Sequence, residues 1–312
     1  MTTAAIRAEG LSKRYGATNA LSGLDLEVAP GEVFGYLGPN GAGKRTTIRL
    51  LLGLIRATAG PAEIFGVDCQ ADPVTAHRSL AFVPGDVNLW PSLTGTETLH
   101  LLGNIHGGID AAYRDVLVDR FAFDPSKKVR AYSKGNRQKL VLVAALMTRA
   151  DLLLLDEPTS GLDPLMEEVF RRCIIEATEN GQTVFLSSHI LSEVEALCSR
   201  VGILRAGRLV ETGRLEDMRH LAALTVDVTF AGAGAPPDLS GVPGVKTVAI
   251  DGARVRLHVQ GPIEPLLQVL AARGVTKLLS REPSLEELFL SHYGGVDGDL
   301  GSIAGDAAQE RR

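Results

Sequence analysis

From about residue 5 to residue 220, short apolar runs alternate with stretches whose apolar positions recur every three or four residues. The first pattern marks buried strands and the second amphipathic helices. Their alternation predicts an α/β domain on a largely parallel sheet. Residues 33–37 follow the turn Pro30-Gly31 and read as a buried strand. Residues 46–55 are apolar at helical spacing, and residues 152–155 are four leucines that end on Asp156, the pattern of a central strand. Residues 183–186 and 201–204 read as two further strands, and the Ala206-Gly207 turn leads into residues 208–211. Residues 80–83 read as another strand, and residues 94–150 are mostly helical in pattern, a helical subdomain set into the α/β core.

The pattern changes near residue 222. Residues 225–230 alternate as a strand, a Gly/Ala/Pro-rich loop covers 231–237, and residues 245–250 and 255–259 form two strands around Asp251-Gly252. A helix over 263–272 opens after Pro262, and a strand follows over 275–280. Ser284-Leu285-Glu286-Glu287 reads as a capping box for a helix over 284–290. The expected organisation is therefore a first domain over 5–222, with its helical subdomain at 94–150, and a small α+β domain over 223–293. The Gly, Asp and Ala content of residues 294–312 reads as a disordered tail.

Composition narrows the partners. A net charge of −5 is no footprint of a nucleic-acid binder. Three scattered cysteines give neither metal-type spacing nor a disulfide framework, which fits a reducing cytoplasm. The opening MTTAAIRAEG has no apolar core and reads as no signal peptide. The richest apolar stretch, 140–155, is interrupted by Arg149 and Asp151, and no segment reaches the roughly 20 apolar residues that span a bilayer. Any service to a membrane is expected to pass through a partner.

The candidate chemistry begins at Gly38-Pro39-Asn40-Gly41-Ala42-Gly43-Lys44, between a strand and a helix. Glycines let successive backbone N–H groups turn toward an anion, and the following helix adds its positive end. Lys44 would reach the outer phosphates of a nucleotide. The motif asks for Ser or Thr next, because that hydroxyl coordinates Mg2+. Here the position is Arg45, with Thr46 and Thr47 one residue out of register. A guanidinium has no lone pair for a metal, and its charge opposes one. Two readings follow: Arg45 cripples metal-dependent hydrolysis, or other groups hold the metal while the loop shifts.

The second half of the pattern is Leu155-Asp156-Glu157, a carboxylate pair at the end of a buried strand, where one can serve a metal and the other a water. It continues Pro158-Thr159-Ser160-Gly161-Leu162-Asp163 and is preceded by Tyr132-Ser133-Lys134-Gly135-Asn136-Arg137-Gln138. In this order and spacing the three motifs resemble the ATP-binding subunit of an ABC transporter, over roughly residues 5–220. The resemblance implies a P-loop ATPase core, and it assigns roles by position. Tyr15 would stack on adenine, and residues 38–47 would bind ATP. Asp156 would serve Mg2+ and Glu157 the attacking water. His189 would hold the γ-phosphate. Ser133, Lys134, Gly135 and Asn136 would meet ATP bound to a second subunit, and Asp163 would lie on the loop crossing between the two. Two departures accompany Arg45: the signature is Tyr-Ser-Lys-Gly-Asn where Leu-Ser-Gly-Gly-Gln is usual, and residues 83–87, Val-Pro-Gly-Asp-Val, lack the family's glutamine. Of those residues Asp86 can replace a metal contact and Gly85 cannot.

The signature variant and the C-terminal segment, ending Pro283-Ser284-Leu285-Glu286-Glu287-Leu288-Phe289-Leu290, resemble the drug- and antibiotic-exporting branch. The expectation is a peripheral subunit on the cytoplasmic face of the membrane, paired with a second copy, that uses ATP and Mg2+ to power a separate permease and binds no nucleic acid. One alternative is a regulatory or hetero-paired subunit that hydrolyses ATP weakly because of Arg45. Another is a soluble ATPase acting on ribosomes or DNA. Because the motif's hydroxyl is missing, Arg45→Ser is expected to raise magnesium-dependent ATP hydrolysis. Equal rates for the two proteins, measured by phosphate release, would mean that the hydroxyl is dispensable here.

Overall fold

The computed structural model of the chain describes residues 3–221, 224–231, 236–239, 241–271 and 273–281. These divide into two compact units, Met1–Leu215 and Glu216–Arg312. The first contains, in chain order, β1 (Ile6–Tyr15), β2 (Thr18–Val28), β3 (Val33–Leu37), α1 (Lys44–Leu51), β4 (Ala62–Ile64), β5 (Val67–Asp68), α2 (Pro73–His77) and β6 (Leu80–Val83). It continues through α3 (Gly95–Ile105), α4 (Ala111–Phe121), α5 (Lys134–Leu146), β7 (Leu152–Asp156), α6 (Pro164–Glu179), β8 (Thr183–Ser188), α7 (Leu191–Leu197), β9 (Arg200–Arg205) and β10 (Arg208–Arg214).

Six strands form one sheet in the order β10-β9-β3-β8-β7-β6. All its neighbours pair in parallel except β10, which returns antiparallel on β9 through the Ala206-Gly207 turn. The central strands β3, β7 and β8 are buried at every residue, which is why they read as unbroken apolar runs rather than alternating ones. Phe34 stacks on Phe185, with ring centroids 5.9 Å apart, and Tyr36 leans on the same ring at 5.1 Å. Inside the core the Tyr36 hydroxyl bonds the Thr47 hydroxyl at 3.0 Å.

A second sheet, β2-β1-β4-β5, is wholly antiparallel and was not legible in the alternation of patterns. Its long strand β1 changes register against β2 three times, so its inward residues do not keep a period of two. α1 packs against β2 and β4 of this sheet and β7 of the other, and one apolar core runs through all three layers. The helix expected over 46–55 starts at Lys44 and stops at Leu51. Gly53, at φ 62°, breaks it there, pressed so close to the Cys69 carbonyl that a Cβ would stand 2.5 Å away. Residues 94–150, expected as a helical subdomain, hold α3, α4 and α5. Thr94 and Glu97 close a capping box on α3, and Asp110 and Ser133 cap α4 and α5.

The second unit includes β11 (Leu224–Phe230), β12 (Val245–Asp251), β13 (Arg254–Val259), an α-helix (Glu264–Ala271) and β14 (Val275–Arg281). Its antiparallel sheet, ordered β12-β13-β11-β14, packs Val226, Val228, Leu257 and Leu266 into a core of its own. The helix expected over 284–290 and the tail expected from residue 294 lie outside the described residues. No helix among those described is long and apolar enough to cross a membrane.

Candidate active site

The loop from Gly38 to Lys44 leaves the buried end of β3 and enters α1. Gly43 caps the helix at φ 115°, in the left-handed region, with the Ala20 carbonyl 2.7 Å from where a Cβ would stand, so only glycine fits. The Ala42 N–H donates to the Pro39 carbonyl at 3.1 Å, and the Gly207 N–H donates to the Ala42 carbonyl at 2.8 Å. These bonds tie the loop to itself and to the β9–β10 turn. Gly38 and Ala42 are buried while Pro39, Asn40 and Gly41 are exposed at the tip. Lys44 is 6% exposed and donates to the carbonyls of Gly38 at 2.5 Å and Pro39 at 3.3 Å. Burial holds its pKa below the usual lysine value, and the nearby charges of Glu157 and Asp156 oppose that shift. Thr46 is half-buried. Thr47 is turned wholly into the core, its hydroxyl shared between Tyr36 and the Gly43 carbonyl. It braces the loop from beneath.

Arg45 reaches across to the end of β7. Its Nη2 lies 2.9 Å from Asp86 Oδ2 and its Nε lies 3.5 Å from Asp156 Oδ2. Asp156 also accepts a bond from the Ser187 hydroxyl at 3.2 Å. Burial pushes the Asp156 carboxyl above the ordinary range, while Arg45 and the Ser187 bond pull it back. The two carboxylates expected to hold a metal ion, Asp156 and Asp86, are here the partners of a guanidinium. The position that asks for a metal-binding hydroxyl carries a cation, and the two acidic groups beside it share that one guanidinium. Arg45 does not fit a magnesium ion: it brings no lone pair and sets a positive charge where the ion would sit.

Glu157 follows on β7 at φ 48°, a left-handed conformation that costs a non-glycine residue about 1–3 kcal/mol. Its N–H is held by the Ser187 carbonyl at 2.9 Å, and its Oε1 lies 3.1 Å from His189 Nδ1. Parallel pairing of β7 with β8 puts Asp156 opposite Ser187 and so brings these two strand ends together. Sequence reasoning missed Glu193. This carboxyl accepts from the Ser188 hydroxyl at 2.6 Å, next to His189. Burial raises its pKa. Its only signal in the sequence was an acidic residue in the first turn of the short helix after His189.

Ser133 caps α5, accepting from the Asn136 N–H at 3.2 Å, and Lys134 Nζ donates to the Ser160 hydroxyl at 3.0 Å. The buried Gln138 side chain donates to the Pro158 carbonyl at 2.7 Å. A Cβ on Gly135 would stand 2.6 Å from the Gly161 carbonyl oxygen. Asp163 caps α6, accepting from the Met166 N–H at 3.0 Å. Residues 133–138 and 158–163 are therefore one packed corner. Among the described residues, no hydrogen bond or ion pair joins 133–136 to the loop at 38–45. Tyr15 stands 46% exposed with the Lys13 ammonium 4.9 Å from its ring centroid.

Residues 21–160 match the ABC transporter family. A daunorubicin resistance ATP-binding protein of Streptomyces coeruleorubidus is 34% identical over 95% of this chain and 98% of its own length. A Nod factor export ATP-binding protein of Rhizobium etli is 33% identical over 93% of each chain. Among solved structures, an ATP-binding subunit of an ABC transporter superposes with a TM-score of 0.65 at 33% identity, covering 69% of this chain and 91% of that one. The corner at Gly135 gives a test. Gly135→Ala is expected to cost about 1–3 kcal/mol of stability, read as a lower urea midpoint, and to slow ATP hydrolysis. An unchanged midpoint would mean that the α5 N-terminus does not lean on Gly161.

Proposed function

This chain belongs to the ABC transporter family as an ATP-binding, ATP-hydrolysing subunit, and on that premise we propose that it powers an exporter of antibiotics or other hydrophobic compounds through a separate permease. The observation that carries the proposal is the site's incompleteness. The phosphate loop, Glu157 and His189 gather at one set of strand ends, while Ser133–Asn136 sit apart in a corner of their own. In this reading the 133–136 segment of one subunit closes over ATP held by the loop of a second copy. The backbone N–H groups of the loop and the N-terminus of α1 receive the phosphates, and Lys44 adds its charge. Tyr15 receives the adenine ring. Glu157, oriented by its backbone and by His189, takes the proton of the attacking water. Nucleotide chemistry is assigned to residues 5–222 and an accessory role to 223–293.

The permease partner is supported by an apolar groove of about 750 Å³ beside β6, where Leu54, Val74, Trp90 and Ile105 stand exposed. Exposed apolar area of this kind marks a docking surface. A short helical segment on the cytoplasmic side of the permease is the occupant proposed here, which would hold this subunit peripherally at that face of the membrane. The export direction and the drug class rest on relatives named for daunorubicin resistance and Nod factor export. Arg45 favours one second reading: a subunit that binds ATP well, turns it over slowly and works beside a sibling with an intact loop.

The general-base role is tested by Glu157→Gln. Phosphate release is expected to fall by about 10²- to 10⁴-fold while ATP affinity stays within about threefold of the parent. Hydrolysis at the parent rate would remove Glu157 from the mechanism.

A further inference from the structure

Two departures from the family pattern, Arg45 and the missing glutamine, lie far apart in sequence but in one place in the structure. A Cβ at Gly85 would stand 3.4 Å from Arg45 Nη2 and 3.3 Å from Asp156 Oδ2. A longer side chain there would have to enter the space that the guanidinium fills. The absent side chain at 85, the arginine at 45 and the acid at 86 are therefore one arrangement. The small residue makes the room, and the two acids, Asp86 and Asp156, hold the guanidinium beside the phosphate loop.

We propose that the Arg45 guanidinium is a resident cation in the place of a divalent metal, so that this chain takes up ATP without magnesium. This rests on reading residues 38–44 as the phosphate cradle. The Arg45 side chain is 60% exposed, so it keeps an open flank for an anion while Asp86 and Asp156 grip the rest. A guanidinium can give a phosphate two parallel N–H bonds, as a metal gives it two coordination contacts. With one guanidinium set between Asp86 and Asp156, one of their two charges is offset, so the acids pull less on a dication and repel the phosphates less than they would unpaired.

The experiment is a titration of the full-length protein with a fluorescent ATP analogue, once with excess magnesium and once in EDTA, after thermal melting establishes that each variant is folded. The parent is expected to bind with affinities within about threefold in the two buffers. Arg45→Thr, and Arg45→Thr combined with Gly85→Gln, are expected to bind at least roughly tenfold more tightly with magnesium than without it. Gly85→Gln alone, which crowds the guanidinium, is expected to weaken binding in EDTA. The proposal is overturned if magnesium tightens the parent as much as the variants, or if none of the proteins responds to magnesium. Folded parent protein that binds in neither buffer would sink the cradle reading and this proposal with it.

Discussion

A carboxylate taken almost out of water must have a positive partner, and the site is arranged around that need at Asp156. The side chain is 7% exposed and ends a strand whose five residues are all buried. Burial works against its charge, and the Arg45 guanidinium and the Ser187 hydroxyl oppose that effect in part. In a site of this kind a dication would supply the counter-charge. Here the chain supplies it, and the substitution is hard to share. At an effective dielectric near 20, a guanidinium about 4 Å from a divalent ion takes away roughly 8 kcal/mol of the attraction that the two carboxylates offer it.

The rest of the site follows from where β7 and β8 end. Their parallel pairing sets Asp156 opposite Ser187. The chain then turns sharply at Glu157, whose strained backbone is held by the Ser187 carbonyl and whose carboxylate faces His189. Glu193 secures the neighbouring Ser188 from below. Beyond Glu157 the same turn runs to Ser160 and Gly161, on which the N-terminus of α5 rests. One strand end thus places both the groups proposed to act on nucleotide in this subunit and the segment proposed to act on nucleotide in its partner.

Much of this was legible in the sequence, for identifiable reasons. β3, β7 and β8 are buried on both faces, so they appear as plain apolar runs, and the loop at 38–44 has glycines where only glycine fits. The antiparallel sheet of β1, β2, β4 and β5 was hidden by the register shifts of β1. Arg45 and Gly85 each stood out as departures. Their union did not, because nothing in the sequence places residue 45 against residue 85. The same limit hid the bond from Lys134 to Ser160 and the support that Glu193 gives Ser188. Nor did the sequence show that the hydroxyl of Thr47, expected among the ATP-binding residues, is used inside the core.

The central claim is that Arg45 occupies the metal's place between Asp86 and Asp156. It is tested most directly by electron–nuclear double resonance on manganese added to the ATP-loaded protein, prepared with isotope-labelled aspartate. The account predicts that the metal carries phosphate and water signals only, with no coupling to an aspartate carboxylate, and that such coupling emerges in Arg45→Thr. Aspartate coupling in the parent protein at the strength seen in the variant would contradict it.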